Sequence, residues 1–283
     1  MTVQTSTPEP AAPPVAPPPA PVGTSRRGLL RLMVKPFAVL LYVLVIVGAW
    51  GAYQAVADVP RYLLASPTEV GSQLLDLART GTLWTHLLYT VRNIGVGFAI
   101  GAVIGAALGV AVSRSQVVDA MLSPFLIVFQ AMPKIALAPM FVLWFGLGLT
   151  SQFVLIVSLS FFPILVGTAT GLRQVNPGYR DLATIVGLNP VARLFRIDIR
   201  AASPSIFAAA RVAAVDAMTG AVLAEWISSS QGLGYLLVEA NSSYQVPMLM
   251  ASIVVIVAVG LALYQLVSFV EARALRWRDP VTA

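Results

Sequence analysis

The sequence predicts an all-α, polytopic membrane protein, and both its composition and its hydropathy pattern lead to that class. Of the 283 residues, 58% are hydrophobic and only 11% are charged, whereas a soluble domain carries about 25% charged residues. A helix needs about 20 apolar residues to cross the hydrocarbon core of a bilayer. Runs of that length predict six transmembrane helices, at 37–57, 86–113, 119–146, 151–172, 204–227 and 247–270.

The distribution of basic residues predicts the orientation of these helices, because lysine and arginine are enriched in cytoplasmic loops. If the N-terminus is inside, the outside segments contain only Arg61 and Arg79. We therefore expect both termini to be cytoplasmic, in a protein of the cell inner membrane. The basic residues of the inside segments are then Arg26, Arg27, Arg31, Lys35, Arg114, Arg173, Arg180, Arg193, Arg196, Arg200, Arg273, Arg276 and Arg278.

The chain divides into one transmembrane domain and two tails. Residues 1–35 are rich in proline and alanine and end in basic residues, so we expect a disordered cytoplasmic tail with a basic anchor. Residues 36–272 form the predicted six-span domain, which includes a cytoplasmic loop over 173–203. Residues 273–283 form a short cytoplasmic tail.

Scarce residue types exclude several kinds of site. The chain has no cysteine, which excludes disulfides and thiolate metal sites, and its single histidine, His86, excludes a histidine cluster. The sequence contains no clear Gly-x-Ser-x-Gly elbow, a motif that would indicate an intramembrane enzyme. The predicted cytoplasmic loops account for the net charge of +6. We expect no catalytic residue, no cofactor and no nucleic-acid partner.

Two patterns predict local structure in the first half of the chain. Ser66-Pro67-Thr68-Glu69 is a capping box with proline at the first helical position, which predicts an interfacial helix that Gly81 ends. The second span has a glycine at every fourth position, so one of its faces allows close approach of a neighbouring helix. These glycines are Gly97, Gly101, Gly105 and Gly109.

The third span is predicted to be broken, because Pro133 and Pro139 each remove a backbone hydrogen bond. A broken helix in lipid must line a cavity or be covered by protein. Lys134 lies at the break, where an unpaired lysine costs about 2.5–3.5 kcal/mol on insertion scales. Met132, Pro133 and Lys134 are therefore candidates to line a translocation path or form a gate. The alternative is that Lys134 pairs with a carboxylate or with freed carbonyls for structural reasons.

Two carboxylates of the fifth span are further candidates for a path or gate. Asp216 follows Arg211 by five residues, a spacing that is imperfect for a pair on one helix face. Glu225 precedes a loop rich in glycine and serine, in which Gly232-Leu233-Gly234 predicts a turn. For Glu225 the alternative is a hydrogen bond to the backbone of that loop.

The cytoplasmic loop is predicted to hold a short helix over 177–186. Asn176 suits the N-cap, Pro177 suits the first helical position, and Gly187 suits a left-handed residue after the last turn. A second helix is predicted to start at Asn189-Pro190. Because a helix of about three turns is marginal alone, we expect it to dock in a groove of another cytoplasmic protein.

This loop resembles the cytoplasmic signature of binding-protein-dependent ABC importer permeases, which reads E-A-A, three residues, G, nine residues, I-x-L-P. The matching positions are Asp181-Leu182-Ala183, Gly187 and Ile197-Asp198-Ile199-Arg200. Asp replaces Glu, Leu replaces the first Ala, and Arg200 stands at the expected Pro, whereas the spacing is kept. Stretches 131–139, 143–146 and 232–235 are similar to the nitrate/sulfonate/taurine-type branch of type I importers. Residues 161–164 are more similar to members that handle thiamine-precursor pyrimidines or riboflavin.

The resemblance implies a permease subunit that performs no covalent chemistry itself. Two permease copies, expected to be a homodimer, would enclose a path for a small organic solute, which an extracytoplasmic solute-binding protein delivers. A dimer of cytoplasmic ABC ATPase subunits would dock beneath. The implied ATPase-coupling residues are Tyr179, Arg180, Asp181, Leu182, Ala183, Thr184, Gly187 and Leu188. An ion-coupled secondary transporter is the alternative, because such transporters also have broken helices and charged residues within the membrane. In a secondary transporter, however, the cytoplasmic loop would have no docking role.

Overall fold

The computed structural model describes residues 27–57, 60 and 62–276, except for the side chains of residues 27–40, Lys134 and Arg180. Most of the predicted tails, 1–26 and 277–283, therefore lies outside the described residues. The described chain contains helices and turns and no strand. Its α-helices are α1 (Arg27–Ala57), α2 (Pro67–Arg79), α3 (Thr82–Arg114), α4 (Gln116–Ala131), α5 (Ala138–Phe145), α6 (Leu149–Arg173), α7 (Pro177–Ile185), α8 (Pro190–Arg193), α9 (Ile199–Ser228), α10 (Leu233–Ser242) and α11 (Val246–Ala274).

Four helices of the described residues are long and apolar enough to cross a membrane. They are α3, α6, α11 and the continuous helix Pro190–Ser228, in which a π turn at Leu194–Asp198 joins α8 to α9. The predicted third span is divided into α4 and α5, which are bent by 89° around a 3₁₀ turn at Lys134–Leu137. The prolines thus break this span as expected. The described apolar part of α1, Leu41–Ala57, is shorter, and α1 already begins at Arg27, within the segment predicted as a tail.

The glycine face of α3 packs directly against α6. All four glycines of the repeat are buried, and a Cβ at Gly97 would lie 2.5 Å from Cγ2 of Ile156. At Gly109 a Cβ would lie 2.7 Å from the carbonyl oxygen of Leu165. Since real Cβ atoms do not approach heavy atoms so closely, only glycine allows this contact, and the packing predicted from the repeat is confirmed.

The contacts also fix the directions of the helices. Gly97 faces Ile156 and Gly109 faces Thr168, so α3 and α6 lie side by side and parallel. The connecting residues 115–148, which include α4 and α5, therefore join opposite ends of the helix pair. α9 runs antiparallel to α6, because Gly167 meets Ala209 and Gly171 meets Ser205.

Two further helices complete this part of the fold. α11 lies antiparallel beside α9, because Arg211 pairs with Glu271 at 3.0 Å and Gly260 of α11 lies beside Met218 of α9. α2 has the predicted capping box: Ser66 Oγ accepts from the Glu69 amide at 3.1 Å, and Glu69 accepts from the Ser66 amide at 2.9 Å. α2 ends at Arg79, with Thr80 as C-cap, while Gly81 has φ +81° and precedes α3. The two ends of α3, α6 and α9 carry the polar sites described next.

Candidate functional sites

The predicted short helix of the loop is α7, and its caps explain why it forms. Asn176 Oδ1 accepts from the Gly178 amide at 2.8 Å, and Pro177 occupies the first turn. At the other end Gly187 has φ +73°. The Gly187 amide donates to the Thr184 carbonyl at 3.0 Å and the Leu188 amide donates to the Ala183 carbonyl at 2.9 Å. This is a Schellman C-cap, and the last helical residue is Ile185 rather than Val186.

α7 turns one small residue toward the protein and leaves its large apolar side chains exposed. Ala183 is 1% exposed, whereas Leu182 is 53% exposed and Ile185 83%. Tyr179 and Val186 are also exposed, as are the polar flank residues Asp181 and Thr184. The side chain of Arg180 lies outside the described residues. Nothing in the described chain covers the apolar stripe of this helix.

Ion pairs link the segments on either side of α7 to neighbouring helices, at the end of the bundle that is called the α7 end here. Asp198 of the signature is buried and pairs with Arg114 of α3, and Arg193 Nε lies 3.5 Å from the same carboxylate. Arg173 of α6 pairs with Asp119 of α4 at 2.8 Å. The segments on either side of α7 are therefore tied to α3 and to α4.

At the opposite end, Glu225 holds the loop before α10. Glu225 is 1% exposed. Its Oε2 accepts from Thr90 Oγ1 and from the Gly234 amide, both at 2.9 Å. Thr90 Oγ1 also accepts from the Leu233 amide at 2.9 Å. A Cβ at Gly232 would overlap the Glu225 carboxylate, so the predicted turn wraps closely around this side chain.

A second group of buried polar side chains lies beside it, centred on Gln152 of α6. Gln152 Oε1 accepts from Asn93 Nδ2 at 3.1 Å and from the Tyr89 hydroxyl at 3.2 Å. Gln152 Nε2 donates to the Ser228 carbonyl at 3.5 Å. Asn93 and Gln152 are 2% and 1% exposed. Together with Glu225 and Thr90 these groups join α3, α6 and α9 in one polar cluster.

His86 connects this polar cluster to the loop before α10. Its Nδ1 accepts from the Gly232 amide at 2.9 Å, and its ring stacks on Tyr235 with 5.7 Å between centroids. His86 thus contacts this end of the bundle from α3, as do Tyr89, Thr90 and Asn93. All three groups of contacts hold the segment 228–235 in place.

The predicted path residues occupy three separate places. Met132 and Pro133 are exposed at the break between α4 and α5, and the side chain of Lys134 lies outside the described residues. Asp216 is half-buried in the middle of α9. Glu225 accepts hydrogen bonds from Thr90 Oγ1 and from the Gly234 amide. This is the alternative stated for Glu225, a hydrogen bond to the backbone of the loop.

Residues 97–276 match the family model described as the binding-protein-dependent transport system inner membrane component. The chain belongs to this family. It is 35% identical over 232 residues to a probable ABC transporter permease of Haemophilus influenzae, a match that covers 82% of this chain and 93% of the relative. It is 28% identical over 257 residues to a putative aliphatic sulfonates transport permease of Bacillus subtilis, a match that covers 91% of each chain.

The fold agrees with this family. An inward-facing structure of the MetNI methionine ABC transporter contains a chain that superposes with a TM-score of 0.60 at 16% identity. The match covers 69% of this protein and 98% of that chain. At this identity the likeness shows the shared fold alone.

This binding-protein-dependent permease is therefore the membrane-embedded transport subunit of an ABC importer, and it is not an enzyme. The family implies a separate ATPase subunit and a substrate-binding protein as partners. The secondary-transporter alternative is wrong, because the family match covers most of the described chain. The resemblance stated from the loop signature is confirmed.

Three polar residues of this permease were not predicted, because each looks like a single polar residue inside an apolar run: Thr90, Asn93 and Gln152. Their spacing carried a signal: Thr90 and Asn93 are three residues apart and lie on one helix face. Buried polar groups require partners, so two such residues on one face of a span predict a polar neighbour across it.

Proposed function

We propose that this permease imports a small organic solute as a homodimer, with α7 docked in a groove of each ATPase subunit. The exposed apolar stripe on a capped, anchored helix carries the proposal. Leu182, Ile185 and Val186 are 53%, 83% and 66% exposed. A helix-in-groove contact uses an apolar face of this kind.

The anchoring of α7 supports a role in transmitting motion. α7 is tied to the chain through the buried Ala183 and the Schellman cap at Gly187. The neighbouring Asp198 ion pairs reach α3. A displacement of α7 by the ATPase would therefore move the ends of long helices rather than a loose loop.

We propose six crossings with both termini cytoplasmic. The parallel packing of α3 and α6 requires the segment 115–148 to connect opposite ends of the pair, which favours one crossing by α4 and α5 over a re-entrant loop. α1 would add the sixth crossing. The α7 end carries Arg114, Arg173 and Arg193, and these basic residues support its cytoplasmic placement.

The exposed face of α9 is proposed to line the path between two permease copies. Val212 and Val215 on this face are 54% and 42% exposed, and Thr219 is exposed as well. Asp216 flanks the same face. Because a carboxylate facing acyl chains is expensive, a second copy and an aqueous path are better neighbours than lipid. Met132, Pro133 and Lys134 at the break between α4 and α5 are proposed to contribute to the same path.

Glu225 is proposed to act at the outer gate by positioning the segment 229–235. Its carboxylate accepts from the Gly234 amide and from Thr90. This segment precedes α10 at the end opposite α7, where the solute-binding protein would dock. Glu225 would thus set the shape of the docking surface without contacting solute.

The solute is proposed to be a heteroaromatic vitamin or vitamin precursor. Relatives named for formylaminopyrimidine transport in Halalkalibacterium halodurans and riboflavin transport in Chloroflexus aurantiacus are 31% and 32% identical. The sulfonate and taurine permeases of Escherichia coli are 29% and 25% identical. A sulfonate or taurine-like solute is the second candidate, and uptake competition between the two classes distinguishes them.

The coupling role is tested with two loop variants in proteoliposomes that contain the ATPase and the binding protein. Gly187→Val strains a left-handed position by about 1–2 kcal/mol, and Asp181→Lys reverses a charge on the flank of α7. Both should insert normally and lose solute-stimulated ATP turnover, while Ser72→Lys on α2, a control in the predicted outside segment, should not. Normal stimulated turnover in both variants would remove α7 as the coupling element.

A further inference from the structure

One contact of the segment 229–235 is made by a titratable ring. The Gly232 amide donates to His86 Nδ1 at 2.9 Å. An amide nitrogen can only donate, so this Nδ1 carries no proton and the proton of the neutral ring is on Nε2. The contact therefore requires the neutral form of His86.

The His86 ring lies where protons from solution reach it. His86 is half-buried and belongs to the second turn of α3, at the end of the bundle opposite α7. Imidazole has an ordinary pKa of about 6.5, which lies within the physiological range of pH. A fall in pH at this end of the bundle can therefore change the charge of a group that holds the segment 229–235.

A carboxylate of α10 is an anionic neighbour for the protonated ring. Glu239 is exposed and acts electrostatically on His86. It follows Tyr235 by one helical turn, and the His86 ring already stacks on Tyr235 with 5.7 Å between centroids. The imidazolium form of His86 thus has a partner of opposite charge on the helix that it contacts.

The other titratable groups near His86 are engaged elsewhere or exposed. Glu225 of α9 and Tyr89 of α3 have hydrogen-bond partners within the polar cluster. The exposed charged residues of the adjoining elements are Asp76 and Arg79 of α2 and Arg92 of α3. In α5, α6 and α11 the charged residues are Arg173, Glu271 and Arg273, all at the α7 end.

The protonated ring cannot keep its contact with Gly232. With a proton on Nδ1, two donors would face each other at the 2.9 Å that now separates donor and acceptor. Gly232 is buried and has φ +112°. Because a buried amide without an acceptor destabilises its surroundings, the segment has to move once His86 is protonated.

We propose that His86 is a pH-sensitive latch of the segment 229–235. Neutral His86 holds the Gly232 amide, whereas protonated His86 releases this amide and turns to Glu239. Because the latched form has no proton on Nδ1, it is favoured at high pH and lost as the pH falls below about 6.5. The consequence for the solute-binding protein rests on the proposed function, which places the docking surface on this segment.

The first test determines the tautomer of His86 in the full-length permease, purified without a histidine tag and placed in nanodiscs. His86 is the only histidine of the chain, so labelling histidine with ¹⁵N gives ring signals from this residue alone. We expect a bare Nδ1 and a protonated Nε2 at about pH 7.5, and protons on both nitrogens at about pH 5.5. A protonated Nδ1 at the higher pH would overturn the latch.

The second test measures whether the segment moves. Ser230 is exposed and the chain has no cysteine, so Ser230→Cys carries a single nitroxide label. From the higher to the lower pH, we expect the ratio of mobile to immobile label to rise about fivefold, which corresponds to one hydrogen bond of about 1 kcal/mol. A label at Ser72→Cys on α2 should not respond. No response at position 230 while His86 becomes protonated would overturn the latch.

His86→Asn is the matched variant, because its side-chain oxygen accepts a hydrogen bond at the position of Nδ1 and does not titrate. The label at position 230 should then stay immobile at both pH values, whereas His86→Leu should leave it mobile at both. Glu239→Gln should shift the transition to lower pH, because the imidazolium loses its charged partner. A full pH response in His86→Asn would assign the transition to another group, such as Glu225, and overturn the latch.

The affinity for the purified solute-binding protein, measured in the same nanodiscs, separates the latch from the proposed function. We expect binding to weaken about fivefold at the lower pH, in line with the loss of one hydrogen bond, and His86→Asn should remove this pH dependence. If the label at position 230 responds to pH as expected while the affinity does not, the latch stands and the docking surface proposed for this segment fails.

Discussion

At the scale of single residues, Glu225 shows how a buried carboxylate can be structural within a membrane protein. Glu225 is only 1% exposed, and burial to this extent would destabilise the protein if the carboxylate had no hydrogen-bond partner. Two donors, Thr90 Oγ1 and the Gly234 amide, lie 2.9 Å from Oε2. Glu225 thereby ties α9 to α3 and to the loop before α10.

Removing this carboxylate should destabilise the permease. Glu225→Ala leaves two buried donors without an acceptor, at a cost of about 1–3 kcal/mol each. Glu225→Gln keeps the shape and one acceptor oxygen, so its effect should be smaller. The measurement is the thermal unfolding midpoint in detergent, with the less buried Glu239→Ala as control. Equal midpoints for Glu225→Ala and Glu239→Ala would show that the cluster contributes nothing.

Sequence reasoning reached part of this arrangement. The glycines and serines after Glu225 favour a loop that needs hydrogen-bond partners, so contact between the two was an expected alternative. Thr90 is 135 residues from Glu225 along the chain. A single sequence cannot pair two polar residues at that separation, because helix periodicity describes one helix at a time.

At the scale of elements, the packing of α3 on α6 depends on glycines, which have no side chain at the contact. A methyl group added at Gly109 would lie 2.7 Å from both the Leu165 carbonyl oxygen and Thr168 Cβ. Backbone atoms cannot rotate away, so the two helices would have to separate. A methyl group added at Gly95 of the same helix would have nothing within 4 Å.

Gly109→Ala should therefore lower stability by about 1–3 kcal/mol through overpacking. Gly95→Ala is the matched control, and it should be neutral or stabilising by up to about 1 kcal/mol, because alanine has the higher helix propensity. Both are measured as unfolding midpoints at fixed detergent concentration. A Gly109→Ala midpoint that equals the Gly95→Ala midpoint would contradict the close packing of α3 and α6.

Apolar run length and local motifs predict elements well where one signal dominates. The capping box of α2, the proline break before α5 and the caps of α7 all follow from adjacent residues. α10 was missed because its ten residues are too few for a span and follow a loop signal. The helix predicted to start at Asn189-Pro190 begins at Pro190, but it continues through a π turn into the fifth span as one helix, Pro190–Ser228, a continuity that the arginines at 193, 196 and 200 made hard to predict.

At the scale of the whole molecule, α9 links the two ends of the bundle. Immediately before its start, Asp198 pairs with Arg114 beside α7, and near its end Glu225 holds the loop before α10. The continuous helix Pro190–Ser228, which contains both Asp198 and Glu225, thus reaches from the proposed ATPase side to the proposed docking side. A rigid element of this kind is suited to couple closure of the ATPases to opening of the path.

The proposed contact between α7 and the ATPase can be tested by site-directed photo-crosslinking. The chain has no cysteine, so Ile185→Cys on α7 and Ser72→Cys on α2 each provide one attachment site for a benzophenone maleimide. After illumination of the complex in membranes, we expect an adduct between the permease and the ATPase from position 185 and none from position 72. An adduct from position 72, or no adduct from position 185 while the complex remains assembled, would show that α7 does not dock on the ATPase.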